Sequence, residues 1–155
     1  MIEMKLAEAL ILRADCQKRV EQLKQRLIRS AKVQEGDKPA ENPQELIVEL
    51  ERVSDELAAL IKRINKTNSA SQFQAGATLS DALAARDVLS LKRAAYNDLA
   101  HAAAIVQSAY SRSEVKFKST VNVADVQKRV DALSKEYREM DSRIQEANWR
   151  IELVE

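Results

Sequence analysis

Very little in this sequence bends a chain, grips a metal or staples a loop. Its 155 residues include two glycines, two prolines, one cysteine and one histidine, and each scarcity removes a class of protein. Two glycines cannot furnish a phosphate cradle, and the nucleotide and nucleophile-elbow motifs G-x-x-x-x-G-K-[ST], G-x-G-x-x-G and G-x-S-x-G are absent. A single cysteine, Cys16, excludes an internal disulfide framework and fits a reducing compartment. The metal candidate is "DLAH", where Asp98 and His101 share a helix face, but a carboxylate-bridged di-iron bundle needs a second such pair and the chain has no second histidine. No catalytic residue, metal ligand or cofactor site is assigned, and no enzyme activity is expected. Long apolar runs are missing too. The nearest approach to the roughly 18 consecutive apolar residues of a membrane span is "LAHAAAIVQSAY", which is short and carries His101 and Gln107. "MIEMKLAEALILRAD" holds Glu3, Lys5 and Glu8 and runs into helix without a basic leader or a cleavage site, so a cytoplasmic location is expected. Charge of one sign is scarce in the same sense, with 25 basic against 24 acidic side chains, net +1. No overall field recruits nucleic acid or an anionic membrane. Arg13, Lys18, Arg19, Lys24, Arg26, Arg29 and Lys32 crowd the first helix, but Asp15 and Glu21 interrupt them and no aromatic side chains are interleaved for base stacking. Neither partner is expected.

What is present is helix. Apolar residues make up 45% and charged residues 32%, the balance of long amphipathic helices. Leu46, Leu50, Val53, Leu57, Leu60 and Ile64 recur at spacings of four and three, drawing one apolar stripe. Val126, Val130, Leu133, Tyr137, Met140, Ile144, Ala147 and Ile151 do the same near the end of the chain. Ala9, Leu12, Cys16, Val20, Leu23 and Leu27 mark a first helix; Ala84, Val88, Leu91, Ala95, Leu99, Ala102 and Val106 mark a third with a looser fit. The expected fold is all-α: one domain over 1–155, an antiparallel four-helix bundle of long coiled-coil-like helices with a small β-ribbon at one end.

The punctuation falls between these runs. Gly36 offers a left-handed cap to the first helix; Asn42 with Pro43 and Glu45 opens the second. Gly76 and then Thr78 or Ser80 open the third, and Asn122 with Asp125 the fourth. The first helix ends basic and the second begins acidic, so an antiparallel pair sets opposite charges side by side. Acid-before-base pairs on the last helix, such as Glu139 with Arg143, read as a solvated face.

Two stretches do not fit a plain bundle. "SEVKFKSTV" alternates like a strand, with Val115 and Phe117 on one side and Lys116 and Lys118 on the other. In an up-down bundle its neighbour is "AKVQEG", so a ribbon is expected that joins Val33 to Val115 or Phe117; pairing with another subunit and an unpaired linker are the alternatives. A polar cluster, Tyr110, Arg112, Ser113 and Glu114, precedes it and reads as a helix exit. The second stretch is the start of the first helix, where Ile2, Met4, Leu6, Leu10 and Ile11 make the surface apolar nearly all round. Something must cover it, and Ile2, Leu6, Leu10 and Ile11 are the expected homo-oligomer interface, a dimer or a larger assembly.

Five phrases, "MKLAEALILRADCQKRVEQLKQRL", "AKVQEGDKPAENPQEL", "LSDALAARDVLSLKR", "YSRSEVKFKSTV" and "VQKRVDALSKEYREMDSRIQEANW", together resemble the septicolysin-like family of small bacterial proteins. The resemblance implies a compact helical protein and, through the family's label, a membrane-acting cytolysin, with no catalytic residues to carry over. The residues themselves favour a self-associating structural or interaction protein, with itself and an unidentified protein as partners.

Overall fold

The computed structural model describes residues 3–104 and 116–155. Among them are four helices, α1 (Leu6–Arg29), α2 (Pro43–Ala70), α3 (Leu79–Ala103) and α4 (Val123–Arg150), and one small antiparallel sheet of β1 (Gln72–Gln74) with β2 (Ala77–Thr78). The chain gathers into two compact units, Met1–Gln72 with Glu146–Glu155, and Phe73–Gln145.

In the first unit α1 and α2 run antiparallel, and charge sets their register as the sequence leads one to expect. Arg26 grips the Glu41 carboxylate through Nε at 3.1 and 3.0 Å and through its terminal nitrogen, and Arg19 reaches Glu49 at 3.0 Å. Between them lies the stripe of α2. Leu46, Val53, Leu60 and Ile64 are buried and Leu50 and Leu57 half-buried, against Ala9, Cys16 and Leu23 of α1. Asn42 caps α2 by accepting from the Gln44 N–H at 2.9 Å, with Pro43 in the first turn where its missing N–H costs nothing.

The same unit contains a clasp that joins the two ends of the chain. Lys5 offers α1 no side-chain cap, yet the Leu6 N–H is satisfied by donating to the Ile151 carbonyl at 2.8 Å. Leu153 N–H donates to the Met4 carbonyl at 2.8 Å, which makes Lys5 and Glu152 an antiparallel bridge. Val154 is held at both backbone groups: its N–H donates to Thr67 Oγ1 at 3.0 Å, and its carbonyl accepts from Arg63 Nε at 3.0 Å. Thr67 is wholly buried and donates its own O–H to the Arg63 carbonyl at 2.7 Å, so both hydrogen-bonding roles of the hydroxyl are used.

In the second unit β1 and β2 form a tight hairpin whose turn places Gly76 at φ 79°, a conformation that needs no Cβ. Thr78 and Asp81 then make a reciprocal capping box at the start of α3. Arg143 of α4 stacks over the Phe73 ring at 4.6 Å and donates to Gln74 Oε1 at 2.9 Å, pinning the hairpin. Arg86 of α3 reaches Asp141 of α4 at 2.9 Å, the contact expected of an antiparallel pair joined through 104–122. Asn122 caps α4 by accepting from Asp125 N–H at 3.2 Å. Val130, Leu133 and Ile144 of the α4 stripe are buried, and Val126, Tyr137 and Met140 half-buried.

Three local expectations are corrected. Helix α1 stops at Arg29 with Ser30 as its C-cap, so Gly36, at φ 89°, serves a later turn and not the helix end. The sheet is the 72–78 hairpin. Val33 and Phe117 lie in irregular backbone, both exposed, and Val115 falls outside the described residues, as do Tyr110, Arg112, Ser113 and Glu114. A local turn closes a short ladder at low entropic cost, and the X-Gly turn between "QFQ" and "AT" is its signal in the sequence. Arg143 also turns to Phe73 and Gln74, not to Glu139 as helix spacing alone suggests.

Candidate interaction surface

The expected interface at the start of α1 does not form one outward face. Leu6 is wholly buried, with its backbone N–H held in the clasp; Leu10 is half-buried; Ile11 is 59% exposed; Ile2 lies outside the described residues. The backbone of Met4 and Leu6 is paired with residues 151–153 of the same chain. Leu6 belongs to the core of its own unit.

Exposed large apolar side chains occur on α1 (Ile11, Leu12, Ile28) and α2 (Ile47, Val48), but on α3 they line up in one continuous stripe. The inward side of α3 is made by Leu79, Ala82 and Ala100, all buried, with Leu89 and Tyr96 half-buried. Ala82 and Ala100 each stand nine residues from Leu91, which at about 100° per residue is the opposite side of the helix. On that opposite side run Ala84, Val88, Leu91, Ala95, Leu99 and Ala102, every one of them exposed. Val88 is 59%, Leu91 71% and Leu99 41% accessible. This is the very stripe that periodicity marks as the seam of the third helix, and it faces out. From Ser90 to Ala95 every residue is exposed, so the middle of α3 has little cover from its own unit. At the far end Leu99 and Ala102 share a depression with Phe117 and Val121, and Phe117 is also exposed.

The chemical candidates lie elsewhere. Asp98 and His101 are exposed on α3, and among the described residues no three His, Cys, Asp or Glu side chains gather into a metal-sized cluster. Cys16 is buried on the α1 stripe; burial first, and then the nearby Glu56 carboxylate, push its thiol above the ordinary range, the reverse of what a nucleophile needs. The depression beside the end of α2 is lined by Ala59, Lys62, Lys66, Ala70 and Glu155, and Lys66 donates to the Glu155 carbonyl at 3.4 Å. Among the described residues no helix is long and apolar enough to cross a membrane.

The model of DUF6847, described as a family of unknown function, matches residues 13–153. The chain belongs to that family. Among solved structures it is similar to a functionally unknown conserved protein from Corynebacterium diphtheriae, seen in a crystal structure, with 47% identity and a TM-score of 0.93 over 99% of this chain and 100% of that one. A comparison with curated proteins finds no match. These findings overturn the septicolysin-like resemblance: the family that covers nearly all of the phrases behind it is this DUF6847 family, and neither it nor the solved relative is described as a cytolysin. Helical phrases rich in Ala, Leu, Glu, Lys and Arg recur in many unrelated proteins, which is why five of them did not suffice to fix a family.

Proposed function

We propose that this member of the DUF6847 family is a cytoplasmic structural and interaction module that works by self-association through its helices, with no catalytic step. The observation that carries the reading is the outward stripe of α3. A helix that keeps one apolar side for its own unit and a second for the outside has one side too many for a chain that acts alone. The magnitude is sufficient. Fully burying a Val or Leu is worth about 1.5–3 kcal/mol, so covering the exposed fractions of Val88, Leu91 and Leu99 yields about 3–5 kcal/mol per copy. Across two copies the upper end of this gain, about 10 kcal/mol, set against the lower end of the cost of association, about 4 kcal/mol, leaves about 6 kcal/mol, a weak, reversible complex with a midpoint of tens of micromolar. Replacement of Leu91 by glutamate tests the surface. Light scattering at tens of micromolar should show the variant with a lower mass than the parent chain and undiminished helicity by circular dichroism; equal masses would remove α3 as the contact.

A further inference from the structure

We infer that the occupant of the α3 face is α3 of a second copy, lying parallel to it and in register, with Lys92 of each copy seated between Asp87 and Asp98 of the other. The inference rests on the self-association reading and adds to it the partner's identity and direction. The exposed residues repeat every eleven positions: Ala84, Val88 and Leu91, then Ala95, Leu99 and Ala102. An eleven-residue period holds a stripe nearly straight along a helix, so two such helices can meet along their length rather than at a crossing point. Ala84 and Ala95 run down the middle of the stripe, where small side chains permit close approach, and the larger Val88, Leu91 and Leu99 stand to either side.

The charges beside the stripe decide the rest. Asp87 and Asp98 are eleven residues apart and therefore share one flank; Lys92, five residues after one and six before the other, is on the opposite flank. All three are exposed. When two copies lie parallel about a two-fold axis, the lysine flank of each faces the aspartate flank of the other, and Lys92 is offset along the axis by about 7.5 Å and about 9 Å from the two aspartate positions, within reach of its long side chain. When they lie antiparallel, like flanks meet. Asp87 then stands beside Asp98 of the other copy, twice, and Lys92 beside Lys92. The remaining charges of α3 do not alter the comparison. Asp81 is on the lysine flank with its carboxylate engaged by the Thr78 N–H; Arg93 and His101 fall away from the face by helical position, and Arg86 Nε, 3.6 Å from Asp87 Oδ1, shares that carboxylate without moving it to the other flank. The surface is complementary to itself in one direction only.

Two experiments on the full-length chain separate this inference from the reading beneath it. Sedimentation velocity measures the dimer constant for the parent chain, Leu91→Glu, Lys92→Asp, and the triple exchange Asp87→Lys, Asp98→Lys, Lys92→Asp. Lys92→Asp should weaken the dimer roughly ten-fold or more, because attractions on both flanks become repulsions, and the triple exchange should return to within about three-fold of the parent. Oxidative cross-linking gives the direction. Ala84→Cys should form a disulfide with itself, and a mixture of Ala84→Cys with Ala102→Cys should give no mixed product, while the buried Cys16 stays out of the reaction. Mixed 84–102 product without self-linked 84, or a triple exchange no tighter than Lys92→Asp, overturns the parallel register while leaving self-association standing. Parent and Leu91→Glu chains that are both monomeric overturn the two together.

Discussion

Replacing Leu6 by alanine distinguishes a core residue from an interface residue at the one position where the periodicity and the clasp disagree. Leu6 is wholly buried, its N–H is bonded to the Ile151 carbonyl, and the backbone on either side is paired with 151–153. A fully buried leucine truncated to alanine loses its transfer free energy and leaves a cavity, about 2–5 kcal/mol in all. For a chain of this length each kcal/mol moves the thermal midpoint by about 2–4 °C, so a fall of several degrees is expected, together with a lower urea midpoint at unchanged slope. Ile11→Ala, at an exposed site five residues on, should cost no more than about 0.5 kcal/mol. Urea unfolding is followed by circular dichroism at a concentration low enough for the chain to be monomeric, and light scattering is recorded at high concentration. The reasoning predicts a less stable Leu6→Ala chain that associates like its parent. It fails if Leu6→Ala unfolds within about 0.5 kcal/mol of the parent at low concentration but loses mass at high concentration, since that is the behaviour of an interface leucine.

Thr67→Val keeps the shape of the side chain but leaves Val154 N–H without its acceptor, and should cost about 1–3 kcal/mol in urea unfolding; an unchanged midpoint would mean that the C-terminal residues are held without Thr67. The Arg26 hydrogen bond holds the Glu41 carboxyl below the ordinary carboxylate range, and Arg52, ahead of Arg19, does the same for Glu49. Because these folded values lie below the unfolded ones, the unfolded chain binds more protons in acid; the contribution of the two glutamates is complete above the unfolded value of about 4.3 and fades as pH falls through the folded values. The Glu41→Gln, Glu49→Gln double variant should therefore show a shallower loss of stability than the parent below about pH 4.3, and parallel acid limbs would contradict the pairing. Cys16 should resist a thiol reagent in the native chain and react fully after denaturation, and stoichiometric native labelling would show that the α1–α2 seam is open.

Helix α2 and the stripe of α4 are legible in sequence because each has one apolar side, so periodicity and burial coincide at Val53, Ile64, Leu133 and Ile144. The caps at Asn42, Thr78 and Asn122 are legible because they are local chemistry between residues two or three apart. Helix α3 misleads because it has two apolar sides. The inward side, Leu79, Ala82, Leu89, Tyr96 and Ala100, is broken at the same spacing by Arg86 and Arg93, whereas the outward side is apolar at every step, so a stripe read by periodicity is drawn on the outside. The clasp is invisible for a different reason: its bonds run backbone to backbone between residues nearly a chain length apart, Lys5 with Glu152 and Leu6 with Ile151, and a backbone bond leaves no mark on side-chain pattern. An apolar first turn shows that something covers it without showing what. The candidate surface was thus half legible. An excess of apolar surface is legible at the start of α1, where Ile11 and Leu12 are exposed but Leu6 is buried, and the proposed contact is relocated to the longer exposed stripe of α3.

Sedimentation equilibrium on the full-length chain is the most direct test of that relocation. The account predicts reversible association between one and two copies of the 17.4 kDa chain, with a midpoint on the order of tens of micromolar, and loss of that association on replacing Leu91 by glutamate. A single 17.4 kDa species at every concentration up to about 1 mM, far above that midpoint, would contradict it.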